Sequence, residues 1–313
     1  MKKKVLVVGS IVYDEIFKVN GRIRNEIIVK NGQIENLNLM LTAQNKKRFP
    51  GGTAGNIAYG LALNGEQVVL ISCVGYDFDF EYKKHLEKLK IDYRTVKVKN
   101  RVTCATYYGI SDQNQEQIGI FQPNATSYLQ KIKLSDFLND QDFQQIKVGI
   151  FSPGNGRSLT RHLQEFDQLC NSQAVTIFDP GQELSISFNK QNLKKCLKCS
   201  DIVIGNEIEI KQFKNLYDLT IKDILNLGVK WVIETQAEKG AWIYNQKQKI
   251  KVKPRKPKKL VEATGAGDAF RAGLIKGIIS NWNLQKAAEY GAFLGALNVE
   301  TMGGQNYKIY KEP

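Results

Sequence analysis

The chain has 313 residues, 42% of them hydrophobic and 24% charged, which suits one large α/β domain or such a domain with a small appendage. It contains no run of about 18 apolar residues that could span a membrane, and its five cysteines, odd in number and scattered, fit a reducing cytoplasm rather than a disulfide framework. The net charge of +14 invites a nucleic-acid reading, yet only Lys251–Lys259 is densely basic and no DNA- or RNA-binding signature accompanies it, so no specific nucleic-acid partner is expected.

Lys2-Lys3-Lys4 followed by Val5–Val12 superficially resembles a secretion signal. The apolar run is short and Asp14 and Glu15 follow at once, so a first β-strand is the better reading. From Lys18 to Phe49 the chain turns polar, with short alternating pieces at Glu26–Val29 and Asn38–Leu41 that read as strands of a small exposed sheet. Phe49-Pro50-Gly51-Gly52-Thr53-Ala54-Gly55-Asn56 is a glycine-rich turn opening a buried helix through Leu63. Val68–Val74 reads as a strand and Glu81–Leu89 as an amphipathic helix. Val96–Ile110 and Gln117–Phe121 alternate as further strands of the small sheet, on either side of the polar turn Ser111–Glu116.

Beyond residue 146 the pattern becomes regular. Strands are expected at Val148–Phe151, Val175–Phe178, Ile202–Ile204, Trp231–Glu234, Ala241–Tyr244 and Ile250–Val252, with helices at Leu159–Cys170, around Leu193–Cys196 and at Ile221–Leu227. Short apolar strands alternating with helices predict a mostly parallel sheet covered on both faces. Ligands bind beyond the carboxyl ends of such strands. Asp14, Asp179-Pro180-Gly181, Asn206 to Glu209, Thr235 to Gly240 and the 264–268 loop all fall at that edge.

The last of these loops carries the most chemistry. Val261-Glu262-Ala263-Thr264-Gly265-Ala266-Gly267-Asp268 runs into an apolar helix through Ile279. The first amides of a helix lack intrahelical partners, and small side chains leave them open to a phosphate. Asp268 would repel a merely bound anion. It makes sense as a base taking the proton of a hydroxyl that receives a transferred phosphoryl group. The plain alternative is an N-cap and a turn. Cys196-Leu-Lys-Cys199 has no second pair and neither His85 nor His162 near it in sequence, so neither zinc nor redox chemistry is assigned to it. There is no GxxxxGK[ST] loop, and Phe270 stands where a GxGxxG fingerprint needs glycine.

Gly51-Gly52 with Asn56, Asn206-x-x-Glu209, Thr235-x-x-x-x-Gly240 and Thr264-Gly265-Ala266-Gly267-Asp268-Ala269-Phe270, in this order, resemble the signatures of the pfkB-type (ribokinase-like) carbohydrate and nucleoside kinases, from about Val5 to about Gln305. The resemblance implies a ribokinase-like three-layer α/β sandwich as a single domain over 1–313, with a discontinuous β lid from about 18–49 and 96–121. It implies that Asp268 is the base and that the amides of Gly265, Ala266 and Gly267 hold the transferred phosphoryl group. Asp14, Gly51, Gly52 and Asn56 would bind the acceptor hydroxyls. Asn206, Thr235, Gly240 and Thr264 would line the ATP site, and Glu209 would serve Mg²⁺ through water. ATP and Mg²⁺ are the implied cofactors, with a monovalent cation such as K⁺ as an option. Two departures stand out: Glu262-Ala263 replaces the usual Asp and its follower, and Ala237 replaces the middle glycine of the Thr235 motif, which costs stability if that position needs positive φ.

Phe49-Pro-Gly-Gly-Thr-Ala-Gly-Asn-Ile-Ala-Tyr, Asn114-Gln-Glu-Gln-Ile118 with Phe121-Gln-Pro123, and Phe178-Asp-Pro-Gly-Gln182 look closest to prokaryotic adenosine and nucleoside kinases. The apolar residues Leu37, Leu39, Met40, Leu41 and Phe49 are expected to cover a purine, or else to pack the lid or pair two lids in a homodimer. The expected acceptor is therefore a nucleoside, adenosine first, with a free sugar such as ribose or fructose as the alternative.

Overall fold

In the computed structural model, residues 3–30, 33–36, 39–98, 101–114, 116–170 and 173–310 are described. Leu37 and Gln115 therefore lie outside the described residues. The strands are β1 (Lys4–Val8), β2 (Val12–Val19), β3 (Ile28–Lys30), β4 (Gln33–Asn36), β5 (Ala43–Gly51), β6 (Gln67–Val74), β7 (Asp92–Lys97), β8 (Ala105–Ser111), β9 (Gln117–Gln122), β10 (Ile146–Phe151), β11 (Val175–Phe178), β12 (Ile202–Asn206), β13 (Trp231–Thr235), β14 (Ala241–Tyr244) and β15 (Lys249–Val252).

Nine of them form the main sheet, in the order β15-β14-β13-β12-β11-β10-β1-β6-β7. Only the β13–β14 and β14–β15 pairings are antiparallel. Its strands alternate in what they bury. Val5 and Val7 of β1 join the core under the helices Thr53–Leu63, Ala266–Ile279 and Leu284–Asn298. Leu6 and Val8 join a second core under Gly156–Leu169, Lys190–Lys198, Glu207–Tyr217 and Ile221–Asn226. The result is three layers, α/β/α, as the alternation of elements predicts.

A second sheet, β5-β2-β8-β9, stands apart as the lid, and β3 pairs with β4 in a separate ribbon. Here the strand read at Val5–Val12 divides. β1 ends at Val8 in the main sheet, and after Gly9-Ser10-Ile11 the chain enters the lid as β2. The break is invisible in composition because both sheets bury these residues: Val7, Ile11, Val12 and Tyr13 are all at most 3% exposed. Asp14 is therefore not a turn residue but sits within the second lid strand. Conversely, Val96 belongs to β7 at the edge of the main sheet, opposite Cys73, while the lid resumes at Ala105.

Candidate active site

Two helix N-termini point at one spot. Thr53–Leu63 brings Asn56 in its first turn, and Ala266–Ile279 brings Asp268 in its own. Asn56 Nδ2 donates to Asp268 Oδ2 at 2.8 Å across 212 residues of sequence. Gly265 caps the second helix with φ +83 and no side-chain hydrogen bond, and a Cβ there would lie 2.7 Å from the Cα of Gly304. The helix start thus has the positive φ and the close packing that favour glycine. The Ala266 N–H, however, already donates to the Ala263 carbonyl at 3.2 Å, so of the three amides assigned to the phosphoryl group this one is engaged in the turn.

Asp268 is tuned by its surroundings. Burial raises its pKa to about 7, while Arg271 and the Asn56 hydrogen bond pull it down and Asp179 and Glu209 push it further up. Sequence reading passed over Arg271, although a lone arginine in an apolar helix face (Ala269, Phe270, Ala272) was the available signal. Its guanidinium donates from Nη2 to Asp179 Oδ1 at 2.7 Å, with Nε in ionic contact with Oδ2 at 2.5 Å outside hydrogen-bond geometry, and Nη1 donates to the Gly267 carbonyl at 3.0 Å. Burial works against that cation, but Asp179, Glu209 and Asp268 outweigh it and hold it protonated. Asp179 thereby ties the end of β11 to the first turn of the Asp268 helix.

Asp14 faces the same region from the lid. It is 4% exposed, and its pKa is raised well above the ordinary carboxylate value by burial first, then by Glu262 and Asp268. A Cβ on Gly51 would lie 2.1 Å from Asp14 Oδ2, so only glycine lets β5 pass this carboxylate. Gly52 makes the turn into the Asn56 helix at φ +85, where a Cβ would lie 2.6 Å from the Ser10 carbonyl oxygen. Glu262 accepts from the Gly303 N–H at 2.7 Å, and its buried Oε1 has no hydrogen-bond partner among the described residues. In register, Asp14 pairs with Phe49 on one side and Tyr107 on the other, and Tyr107 with Phe121. Register partners share a face, so one face of the lid carries a row of aromatic, carboxylate, aromatic, aromatic. The Tyr107 ring lies over Gly109 and Gly119, where a Cβ would come within 3.0 Å and 2.7 Å of it. Of the apolar lid residues expected from sequence, Phe49 belongs to this row, while Met40 is 92% exposed.

The remaining motif residues gather at the ends of neighbouring strands. Asn206 and Thr235 are register partners at the ends of β12 and β13, and Thr235 Oγ1 donates to the Gly205 carbonyl at 3.4 Å. Asn206 and Glu209 form a capping box: Asn206 Oδ1 accepts from Glu209 N–H at 2.9 Å and Glu209 Oε2 from Asn206 N–H at 2.8 Å. Glu209, half-buried, has its pKa raised by burial, opposed by Arg271. Ala237 adopts φ +47, so the strain anticipated for an alanine at this position is present, and Gly240 closes the turn at φ +90. Thr264 lies in the turn just before Gly265, partly exposed.

The sequence pattern of the pfkB family carbohydrate kinases matches residues 2–309. The chain belongs to that family. It is a phosphotransferase acting on a hydroxyl group. It is 26% identical over 308 residues to a nucleoside kinase of Methanocaldococcus jannaschii, covering 97% of this chain and 92% of the relative. It is 25% identical to a cytidine kinase of Thermococcus kodakarensis, covering 78% and 85%. Its fold is similar to that of the nucleoside kinase of Burkholderia thailandensis in complex with inosine, at TM-score 0.83 and 26% identity over 97% of this chain and 93% of the other. A second structure of that kinase, in complex with ADP-inosine, aligns at TM-score 0.81 and 27% identity over 97% and 92%. Among the described residues no helix is long and apolar enough to cross a membrane.

Proposed function

We propose that this chain is an ATP- and Mg²⁺-dependent nucleoside kinase that phosphorylates the 5′-hydroxyl of a nucleoside, adenosine foremost, to give AMP. The observation that carries the nucleoside reading is the Phe49–Asp14–Tyr107–Phe121 row on the lid. Asp14 accepts hydrogen bonds from sugar hydroxyls, and the rings on either side offer flat apolar faces to a base, which a free sugar would leave uncovered. The inosine-bound and cytidine-acting relatives support an acceptor built of base and ribose.

In this reading Asp268 accepts the proton of the acceptor hydroxyl, with a pKa near the working pH as a base requires. Gly265 and Gly267 supply the uncapped helix start for the phosphoryl group. Asn56 orients Asp268, and Asp14 with Gly51 holds the sugar. Asn206, Thr235, Gly240 and Thr264 line the nucleotide side, as supported by the adjacent strand ends that carry the first two. Mg²⁺, when bound, would neutralise charge that develops on the phosphates. The half-buried Glu209 carboxylate fits it through water, beside a cleft whose Arg271 is already committed to Asp179. A monovalent cation such as K⁺ fits the orphaned Glu262 Oε1.

The test is ATP consumption with Mg²⁺ against adenosine, inosine, guanosine, cytidine, ribose and fructose in parallel. Turnover of adenosine above the other nucleosides, and of nucleosides far above free sugars, is expected. Turnover of a free sugar alone would retain the kinase and remove the base-stacking role of the lid.

A further inference from the structure

Behind Asp268 runs a buried chain of hydrogen bonds that the catalytic reading does not use. Asn56 Oδ1 accepts from Gln305 Nε2 at 3.0 Å. Gln305 Nε2 also donates to the Tyr82 hydroxyl at 2.7 Å, and that hydroxyl donates to the Gly51 carbonyl at 2.6 Å. Gln305 Oε1 sits 3.0 Å from His85 Nε2. Asn56, Gln305 and Tyr82 are 3%, 2% and 0% exposed, so no solvent competes for these bonds.

The chain has a polarity set at both ends. A backbone carbonyl can only accept, so Tyr82 spends its single proton on Gly51 and must accept from Gln305. The group that Gln305 turns toward Tyr82 and Asn56 is therefore its amide nitrogen. Asn56 must then meet Gln305 with its oxygen, and its nitrogen is left facing the Asp268 carboxylate. His85 completes the lock: burial lowers its pKa and keeps the ring neutral, and a neutral ring protonated at Nε2 donates to Gln305 Oε1. Without Gln305 the Asn56 amide is free to turn and set its oxygen against the carboxylate.

We propose that Gln305, anchored by Tyr82, is a positioning residue that fixes the Asn56 amide toward Asp268, joining the end of lid strand β5 at Gly51 and the base into one hydrogen-bonded unit. The proposal rests on Asp268 being the base. Asp268 is faced by Arg271 from its own helix, Asp179 after β11, Glu209 from the Glu207–Tyr217 helix, Asp14 from β2 and Tyr307 from the C-terminal segment. Gln305 is faced by Tyr82 and His85. Loss of a hydrogen bond to the ionised carboxylate favours the protonated form, so the acid limb of the rate profile moves to higher pH.

The experiment compares kcat against pH, at saturating MgATP and acceptor, for wild type, Gln305→Leu, Tyr82→Phe and Asp268→Asn. Gln305→Leu keeps the side-chain volume and should move the acid limb up by about one pH unit, the usual worth of a hydrogen bond to a charged group, with KM for ATP unchanged. Tyr82→Phe should move it in the same direction by less. A purely structural role for Gln305 would lower the melting temperature and leave the limb in place. A folded Gln305→Leu protein with the wild-type limb overturns the proposal, and if that variant does not fold, an unmoved limb in Tyr82→Phe does the same. Asp268→Asn separates the two levels: full turnover in this variant removes the base and the relay together, whereas loss of turnover beside an unmoved Gln305→Leu limb removes the relay alone.

Discussion

Replacing Arg271 by methionine should cost this protein more stability than any single surface change. The guanidinium and its partner Asp179 are 8% and 1% exposed, joined by one hydrogen bond and a second ionic contact. Methionine fills most of the space but leaves Asp179 buried beside Asp268 and Glu209 without a cation. Breaking one side of a buried pair costs about 3–5 kcal/mol, which for a chain of this size is a fall of roughly 5–10 °C in melting temperature. The loss has a pH signature. Asp179 already has a raised pKa through burial, and without Arg271 it rises further. The folded variant then binds more protons than the unfolded chain, so its stability falls as pH rises, and the deficit should be larger at pH 8 than at pH 5. Arg271→Met/Asp179→Leu, which buries no charge, should recover most of the loss. Thermal melts of the wild type, both single variants and the double variant at the two pH values provide the check. An Arg271→Met protein melting within a degree or two of wild type, or a double variant no better than the single, would refute the assignment of the pair as a structural clamp under the base.

Asp268→Ala should lower kcat by about 10²–10⁴-fold while ATP binding, measured by calorimetry, survives; near-full turnover would remove the base. With Asp268 drawn up to about 7 by burial, wild-type kcat/KM should rise with pH through that value as the carboxylate ionises, and a profile flat from pH 6 to 8 speaks against it. Ala237→Gly relieves an alanine held at φ +47 and should gain about 0.5–1 kcal/mol after the entropy of the added freedom, visible as a slightly higher melting temperature; an unchanged or lower one would show the turn to be unstrained. Glu209→Gln keeps the capping box, since glutamine serves at that position as well, but loses the charge. It should melt like wild type and need about 10–100-fold more Mg²⁺, whereas a normal metal requirement would leave Glu209 a helix cap alone.

The main sheet was legible because its strands are buried on both faces and flanked by helices whose apolar periodicity differs from theirs. The parallel order, the helix starting at Asp268 and the strand-end loops at Asn206 and Thr235 follow from that contrast. What escaped reading did so for physical reasons. The passage from β1 to β2 at Gly9–Ile11 leaves no trace, because both sheets demand apolar residues. Asn206-x-x-Glu209 fits a metal motif and a capping box equally well, because both need an amide or hydroxyl followed by a carboxylate one turn later. Tyr107, 93 residues from Asp14, became its neighbour only through the parallel register of β2 with β8. Gln305 and Tyr82 carry no motif at all; only the folded chain brings the two together, 223 residues apart.

The charges around the cleft also bear on what kind of acceptor it suits. Burial first, then the nearby Glu262 and Asp268 carboxyl groups, raise the proton affinity of Asp14. The buried cation beside them, Arg271, spends itself on Asp179. A ligand entering between Asp14 and Asp268 therefore meets hydrogen-bonding carboxyl groups in surroundings that already disfavour negative charge. Hydroxyl groups suit those surroundings, whereas a phosphorylated sugar would add charge to them. In the proposed reading the nucleotide would avoid the same repulsion on the other side of Asp268, where the helix start offers partial positive charge and Mg²⁺ would accompany the phosphates. The two substrates would then be sorted by charge before any shape is compared: an uncharged polyol on the lid side, a metal-bound polyanion on the helix side, and a carboxyl group with a pKa near neutrality between them as the proposed base.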